Sequence, residues 1–269
     1  MKVWTVANQK GGVGKTTTTV SLGGLLAGWG LRTLLVDMDP HGSLTSYFKY
    51  DPDTLEDSAF SLFQAAARKQ RLAPGRLICP TGTPDLSLLP AAMALATLDR
   101  IAGKMEGMGL VLKRALSQLR DQYDFVLIDC PPILGMLLIN ALAACERLVI
   151  PVQTEFLALK GLERMLHTLE MVLKSRRSPL PYHIVPTLYD RRTRAAKEAL
   201  EVLRETYGEH LWGEAIPVDT RFREASKAGL PPSLYDPKAR GVAAYSELAR
   251  VLLEAEGGEA AVPVGLETT

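Results

Sequence analysis

The stretch Asn8–Thr17 reads NQKGGVGKTT, directly after the apolar run Val3–Ala7 and directly before a helical pattern. Gly11, Gly12 and Gly14 allow a turn tight enough for successive backbone N–H groups, Val13 included, to face one anion. Running from strand into helix, such a turn holds that anion at the positive end of the helix. The arrangement is a phosphate-binding loop, G-x-x-x-x-G-K-[ST], except at its first position. There the chain has Gln9 instead of glycine, followed by an additional lysine, Lys10. In a loop of this kind Lys15 bridges the β- and γ-phosphates, the Thr16 hydroxyl reaches Mg2+, and Thr17 bonds the α-phosphate. A ligand-free glycine turn would gain nothing for the same entropic cost.

Short β-branched runs alternate with longer helical patterns along the rest of the chain. That alternation predicts an α/β fold, a mostly parallel, doubly wound sheet with helices on both faces. The expected strands are Val3–Ala7, Thr33–Val36, Leu86–Leu89, Phe125–Ile128, Leu148–Val152 and His183–Thr187. Helical periodicity covers Lys15–Gly28, Met108–Gln122, Leu137–Ala144, Leu157–Lys174, Ala195–Tyr207 and Gly241–Glu254. No Ser/Gly/Pro-rich linker divides them, so residues 1–255 read as one domain, and 256–269, without apolar periodicity, as a tail that frays.

Bulk chemistry narrows the partners. Lysine plus arginine total 31 against 30 acidic residues, so nucleic acid could be bound only through a local patch. Cys79, Cys130 and Cys145 form no C-x-x-C pair, which argues against a disulfide framework and fits a reducing cytoplasm. No apolar run reaches spanning length, and KVWTVA at the start is strand-like and unlike a leader. In DFVLIDCPP, four apolar residues end in Asp129, a buried strand presenting one carboxylate where the ligands of open α/β sheets collect. Asp129 is therefore a candidate Mg2+ holder, and Cys130 beside it reads as a small buried hydrophobe.

KGGVGKTT, with its lysine two residues after Asn8, resembles the deviant Walker A motif of the ParA/MinD family of P-loop ATPases. Loss of the first glycine is normal in that family. The resemblance implies that Lys10 reaches across an ATP-sandwiched homodimer to the phosphates of the other subunit, a task suited to a compact charge on a flexible stem. LLVDMDPHGSLTS, residues 34–46, resembles the family's switch I, with His41 where glutamine is common. By that likeness Asp39 positions the attacking water and Asp37 ends the strand near the metal, so Lys10, Lys15 and Asp39 are the expected catalytic set. Thr16, Asp37, Asp39 and Asp129 are the expected metal set. Residues 186–208 and 216–249 resemble the C-terminal half of the partitioning ParA proteins, which places Thr187 and Pro217 around adenine. The common Arg-Asn after that proline is Val218-Asp219 here.

Arg192 and Arg221 align with family arginines that bind double-stranded DNA without sequence preference, and both lie in basic stretches. The resemblance thus implies a slow ATPase, stimulated by a ParB-like or chemotaxis-array adaptor protein, that positions cargo on the nucleoid or at the cell pole. DPHGS with TSYF looks like the homologues that place chemotaxis arrays. A MinD-like membrane ATPase would need a basic amphipathic C-terminal helix, whereas Val251–Thr269 carries Glu254, Glu256, Glu259 and Glu267 and no lysine or arginine. An iron–sulfur carrier on the same scaffold would need paired cysteines that the chain lacks.

Overall fold

Alternate residues of each strand face opposite ways, and here both faces are apolar. The computed structural model describes residues 1–98, 107–174, 176 and 179–257. Within them the strands are β1 (Lys2–Val6), β2 (Thr33–Asp37), β3 (Cys79–Pro80), β4 (Leu86–Leu89), β5 (Phe125–Asp129), β6 (Arg147–Gln153) and β7 (Tyr182–Thr187). They form one sheet in the order β3-β4-β2-β5-β1-β6-β7, parallel throughout except for β3 against β4. On one face Val3, Leu34, Val36, Val126, Ile128, Leu148 and Ile150 pack with α3 (Ala59–Ala67), α4 (Val111–Ser117), α5 (Met136–Ala144) and α6 (Phe156–Leu173). On the other, Trp4, Val6, Leu35, Leu127, Val149 and Val185 meet α1 (Lys15–Gly28), α2 (Ser43–Tyr47) and α10 (Arg240–Glu254). The expected doubly wound architecture is what the chain adopts.

Local sequence explains the helix types. α1 is apolar nearly all round because it lies between the sheet, α10 and the short α9 (Pro232–Tyr235). In contrast α7 (Arg194–Tyr207) buries Ala196, Ala199, Leu200 and Leu203, one stripe of an otherwise charged helix, and the Thr193 hydroxyl caps it by accepting the Ala196 N–H at 3.3 Å. α8 (Arg221–Ala228) follows.

Three departures from the sequence reading have physical causes. The single helix expected over 108–122 is a 3-10 turn, Met108–Leu110, and a shorter α4, whose exit tightens into i→i+3 bonds from Gln118, Leu119 and Gln122. α3 and α8 were not expected; both are short, α8 buries only Ala225 of its eight residues, and α3 begins at a Ser58–Ser61 capping box. At Glu256, the first residue of the expected tail, the chain is anchored. Glu256 accepts from Arg147 Nε at 2.6 Å and Trp4 Nε1 at 3.2 Å and pairs with Lys2 Nζ at 2.9 Å. Residues 258–269, the rest of that expected tail, lie outside the described residues.

This anchor ties the end of α10 to the starts of β1 and β6. Arg147 is buried, so removing its carboxylate partner leaves a charge in a dry site. Glu256→Ala should cost roughly 3 kcal/mol and lower the Tm by roughly 6–12 °C. Thermal and urea denaturation check this; an unchanged midpoint would show that Glu256 is not held.

Candidate active site

Parallel pairing brings three chain ends together. In register, Val6 of β1 and Asp37 of β2 both pair with Asp129 of β5, so the loops leaving these strands open on one edge of the sheet. Gly12 (φ 76°) and Gly14 (φ 89°) take the left-handed conformation that a side chain would disfavour, and Gly14 caps α1. The loop is fixed from outside. Asn8 Nδ2 donates to the Pro151 carbonyl at 2.8 Å while Asn8 Oδ1 accepts the Lys10 N–H at 3.0 Å. Thr187 donates its hydroxyl to the carbonyl of buried Val13 at 2.8 Å.

A cleft of about 690 Å3 lies over this loop, lined by Gly11, Gly12, Gly14, Lys15, Thr16, Thr17, Asp39, His41, Ser43, Tyr47, Pro132, Phe222, Arg223 and Ser226. Lys15 is mostly buried; burial pulls its pKa down, while Asp129 and Asp39 oppose that. Its Nζ rests on the Lys10 carbonyl at 3.1 Å. Lys10 instead turns its ammonium to Glu155, the residue that caps α6. Pro217 lies outside the cleft lining, bridged to Tyr189 just after β7.

The carboxylates differ in what they have left to offer. Asp37 is fully buried and pushed up to about 6 by desolvation, yet both its oxygens are engaged. Oδ2 accepts the Thr45 N–H at 2.8 Å and hydroxyl at 2.7 Å, and Oδ1 accepts the Asp39 N–H at 3.0 Å. Asp39 lines the cleft, and its Oδ1 accepts the His41 N–H at 3.0 Å and sits 2.9 Å from His41 Nδ1. Asp129 is 1% exposed, and its Oδ2 accepts the Thr16 hydroxyl at 2.6 Å. Its other oxygen is buried without a hydrogen-bond partner. Burial, then the nearby Asp37 charge, push Asp129 up to about 8. An orphaned carboxylate oxygen beside a threonine hydroxyl suits a hard cation completed by phosphates and water. Among the described residues no three His, Cys, Asp or Glu side chains form a metal cluster, so a full protein cage is not what this site offers.

The chain's similarity to other proteins matches this arrangement. A family profile described as an AAA domain covers residues 1–181. The sporulation initiation inhibitor protein Soj of Bacillus subtilis is 37% identical over 93% of this chain and 97% of its own length. The chromosome partitioning protein ParA of Caulobacter vibrioides is 35% identical over 95% of each. The chain belongs to the ParA/Soj family of P-loop ATPases. A solved structure from Mycobacterium smegmatis, described as cobyrinic acid a,c-diamide synthase with bound ADP and magnesium, superposes with a TM-score of 0.82 at 34% identity, covering 98% of both chains.

Family motifs read from sequence omit one wall of the cleft. Phe222, Arg223 and Ser226 come from α8, and Ser43 and Tyr47 from α2. The basic run 221–240 was read only as a DNA surface, and nothing in its spacing says that it folds over the nucleotide loop. Glu155, the partner of Lys10, was likewise invisible, because 145 residues separate the two. Arg192 and Arg221 are 84% and 52% exposed, and each is paired within the chain, Arg192 with Asp190 and Arg221 with Glu224 and Asp236. Cys130 is fully buried, and burial pushes its thiol well up, as expected of a small hydrophobe.

Asp129 gives a pH prediction. Its pKa is raised in the fold, so the unfolded chain ionises first. Folded stability therefore falls as pH rises from about 4 to 8, by up to about 1.4 kcal/mol per unit. Asp129→Asn should raise the Tm of nucleotide-free protein at pH 7.5, and by less at pH 5. Scanning calorimetry at both pH values checks it; equal Tm values at pH 7.5 would contradict the cost.

Proposed function

We propose that this chain is an Mg2+-dependent ATPase of the partitioning type, which hydrolyses ATP to ADP and phosphate and cycles between a monomer and an ATP-sandwiched homodimer. The observation that carries the reading is one cleft that joins the glycine loop, Lys15, Thr16 and Asp39, with the carboxylate of Asp129, one oxygen unpartnered, buried behind the Thr16 hydroxyl it accepts. Asp129 and Thr16 would hold the cation, with Asp37 acting through the loop it braces. Magnesium, when bound, supplies charge neutralisation on the phosphate oxygens.

The chain's own groups do the rest. The amides of residues 11–17 cradle the phosphates at the head of α1, and Lys15 draws charge from them. Asp39 orients water for attack on the γ-phosphorus, with His41 fixing its carboxylate. Phosphoryl transfer of this kind depends on positioning and electrostatics more than on a strong base. Thr187 shapes the adenine end through its bond to Val13, with Pro217 next to the strand it ends. Lys10 must leave Glu155 before it can serve a partner subunit.

The cargo is a chromosome, a plasmid or a chemotaxis array, and the activating partner a ParB-like or array-adaptor protein. The name of the Caulobacter vibrioides relative, a chromosome partitioning protein, favours the first of these cargoes. The reading places the protein in the cytoplasm, on the nucleoid or at a pole. No helix among the described residues is long and apolar enough to cross a membrane.

The two lysines should separate by role. Lys15→Ala should abolish ATP binding, whereas Lys10→Ala should bind ATP and stay monomeric. Calorimetry with light scattering distinguishes them; equal loss of affinity in both would sink the trans role of Lys10.

DNA binding rests on Arg192 and Arg221. Exposed ion pairs such as theirs are worth about 0–1 kcal/mol, so phosphates can displace Asp190, Glu224 and Asp236 at little cost. About four arginines in a dimer give a slope of log affinity against log salt near roughly −3.6. Arg192→Glu with Arg221→Glu should remove ATP-dependent binding to random duplex DNA and leave dimerisation intact. If wild-type protein with ATP shows no salt-sensitive DNA binding, a protein scaffold becomes the anchoring surface.

A further inference from the structure

α8 is held over the nucleotide cleft by ties at both ends. At its start, the Phe222 ring packs edge-on against Tyr245 (centroids 5.7 Å apart, planes at 70°), and the Tyr245 hydroxyl meets Thr18 Oγ1 of α1 at 2.8 Å. Phe222 also lies against Gly241, where an added Cβ would come within 2.2 Å of its ring, so the ring fits only because that position is glycine. At its end, Lys49 Nζ donates to two carbonyls of the last turn, Ser226 at 3.2 Å and Lys227 at 2.8 Å. Tyr47 donates to the Leu230 carbonyl at 2.9 Å. Lys49 makes these bonds from a left-handed backbone (φ 70°) just past the end of α2, where its N–H closes on the Ser46 carbonyl at 3.0 Å.

This fixed helix presents Arg223 to the cleft. Among the described residues Arg223 has no ion pair, whereas Arg221 on the same helix is held by Glu224 and Asp236. Glu224, adjacent in sequence, is already occupied by Arg221 and Tyr235. The cleft otherwise holds one lysine, Lys15, facing Asp39 in the cleft and the buried Asp129 behind it, because Lys10 is turned to Glu155. A triphosphate entering there brings more negative charge to a site with one committed cation. A preorganised, unpaired guanidinium on the opposite wall meets that need, and its planar fork matches phosphate oxygens.

We infer that Arg223 is a nucleotide-phosphate contact, a second cation that closes on the bound nucleotide from α8 opposite Lys15. The inference rests on the ATPase reading above. It separates Arg223 from Arg221, two residues away on the same helix: one faces nucleotide, the other faces outward.

The test is calorimetric titration of the full chain with ATP–Mg2+ and with ADP–Mg2+, without DNA, together with steady-state hydrolysis. Arg223→Ala should weaken binding of at least one nucleotide by about 10- to 100-fold, and Arg223→Lys should restore part of the loss. Arg250→Ala, on the far side of α10 and paired only with Glu247, controls for removing one surface charge and should bind as wild type. Since Arg223 is exposed, the Tm of nucleotide-free Arg223→Ala should match wild type. Unchanged affinity and turnover in Arg223→Ala would overturn the inference, as would a loss confined to DNA binding or one shared equally by Arg250→Ala. Wild-type protein that binds no ATP would instead overturn the ATPase reading, and this inference with it.

Discussion

A carboxylate buried at the end of β5 with one oxygen unpartnered is the costliest feature of this molecule, and much of the architecture serves to place it. Asp129 sits in the middle of the sheet, between β1 and β2, where neither neighbour can move without disturbing the ladder. Among the described residues only the Thr16 hydroxyl, from the first turn of α1, hydrogen-bonds its carboxylate. A buried acceptor left open costs about 1–3 kcal/mol that the rest of the fold must offset. Two fully apolar sheet faces do so, and the strain is kept where a cation and phosphates would relieve it.

Asp37 shows the opposite solution one strand away. It is as buried as Asp129, but Thr45 and the Asp39 amide satisfy both oxygens. Two carboxylates in register would repel if both were charged and unpaired. Saturating one with neutral donors leaves the other as the open ligand. It also makes Asp37 the pivot of the loop that carries Asp39.

The sheet was legible because each core strand is a short β-branched run, and burial on both faces leaves no polar alternation to confuse the pattern. β3 was not, since two residues ending in proline carry no strand signal. The glycine loop, Asp39 and Asp129 were legible for a different reason: their chemistry depends on residues adjacent in sequence, and three successive strand ends then bring them together. Lys10–Glu155, Thr187–Val13 and the α8 wall were not legible, because each joins segments that only the folded sheet makes neighbours. Arg223 illustrates the limit. In sequence it is one of several basic residues in a run, and only its place on the wall of the folded cleft sets it apart.

The same ties connect the nucleotide site to the surface. Thr45, which saturates Asp37, belongs to α2; Tyr47 at the end of that helix, and Lys49 just beyond it, hold the end of α8; and α8 begins with Arg221. Every link in this chain is a hydrogen bond within 3.2 Å or a rigid helix. A displacement of the loop around Asp39 therefore either carries α8 with it or breaks the bonds from Tyr47 and Lys49, at about 1 kcal/mol or more each. Carrying the helix is the cheaper course as long as the Phe222–Tyr245 contact can roll and the exposed ties of Arg221 to Asp236 and Glu224 to Tyr235 follow. Rolling about an edge-on ring contact sacrifices no hydrogen bond. The outward arginine and the cleft arginine would then move together, so that contact with phosphate on one side of α8 changes the presentation of charge on the other.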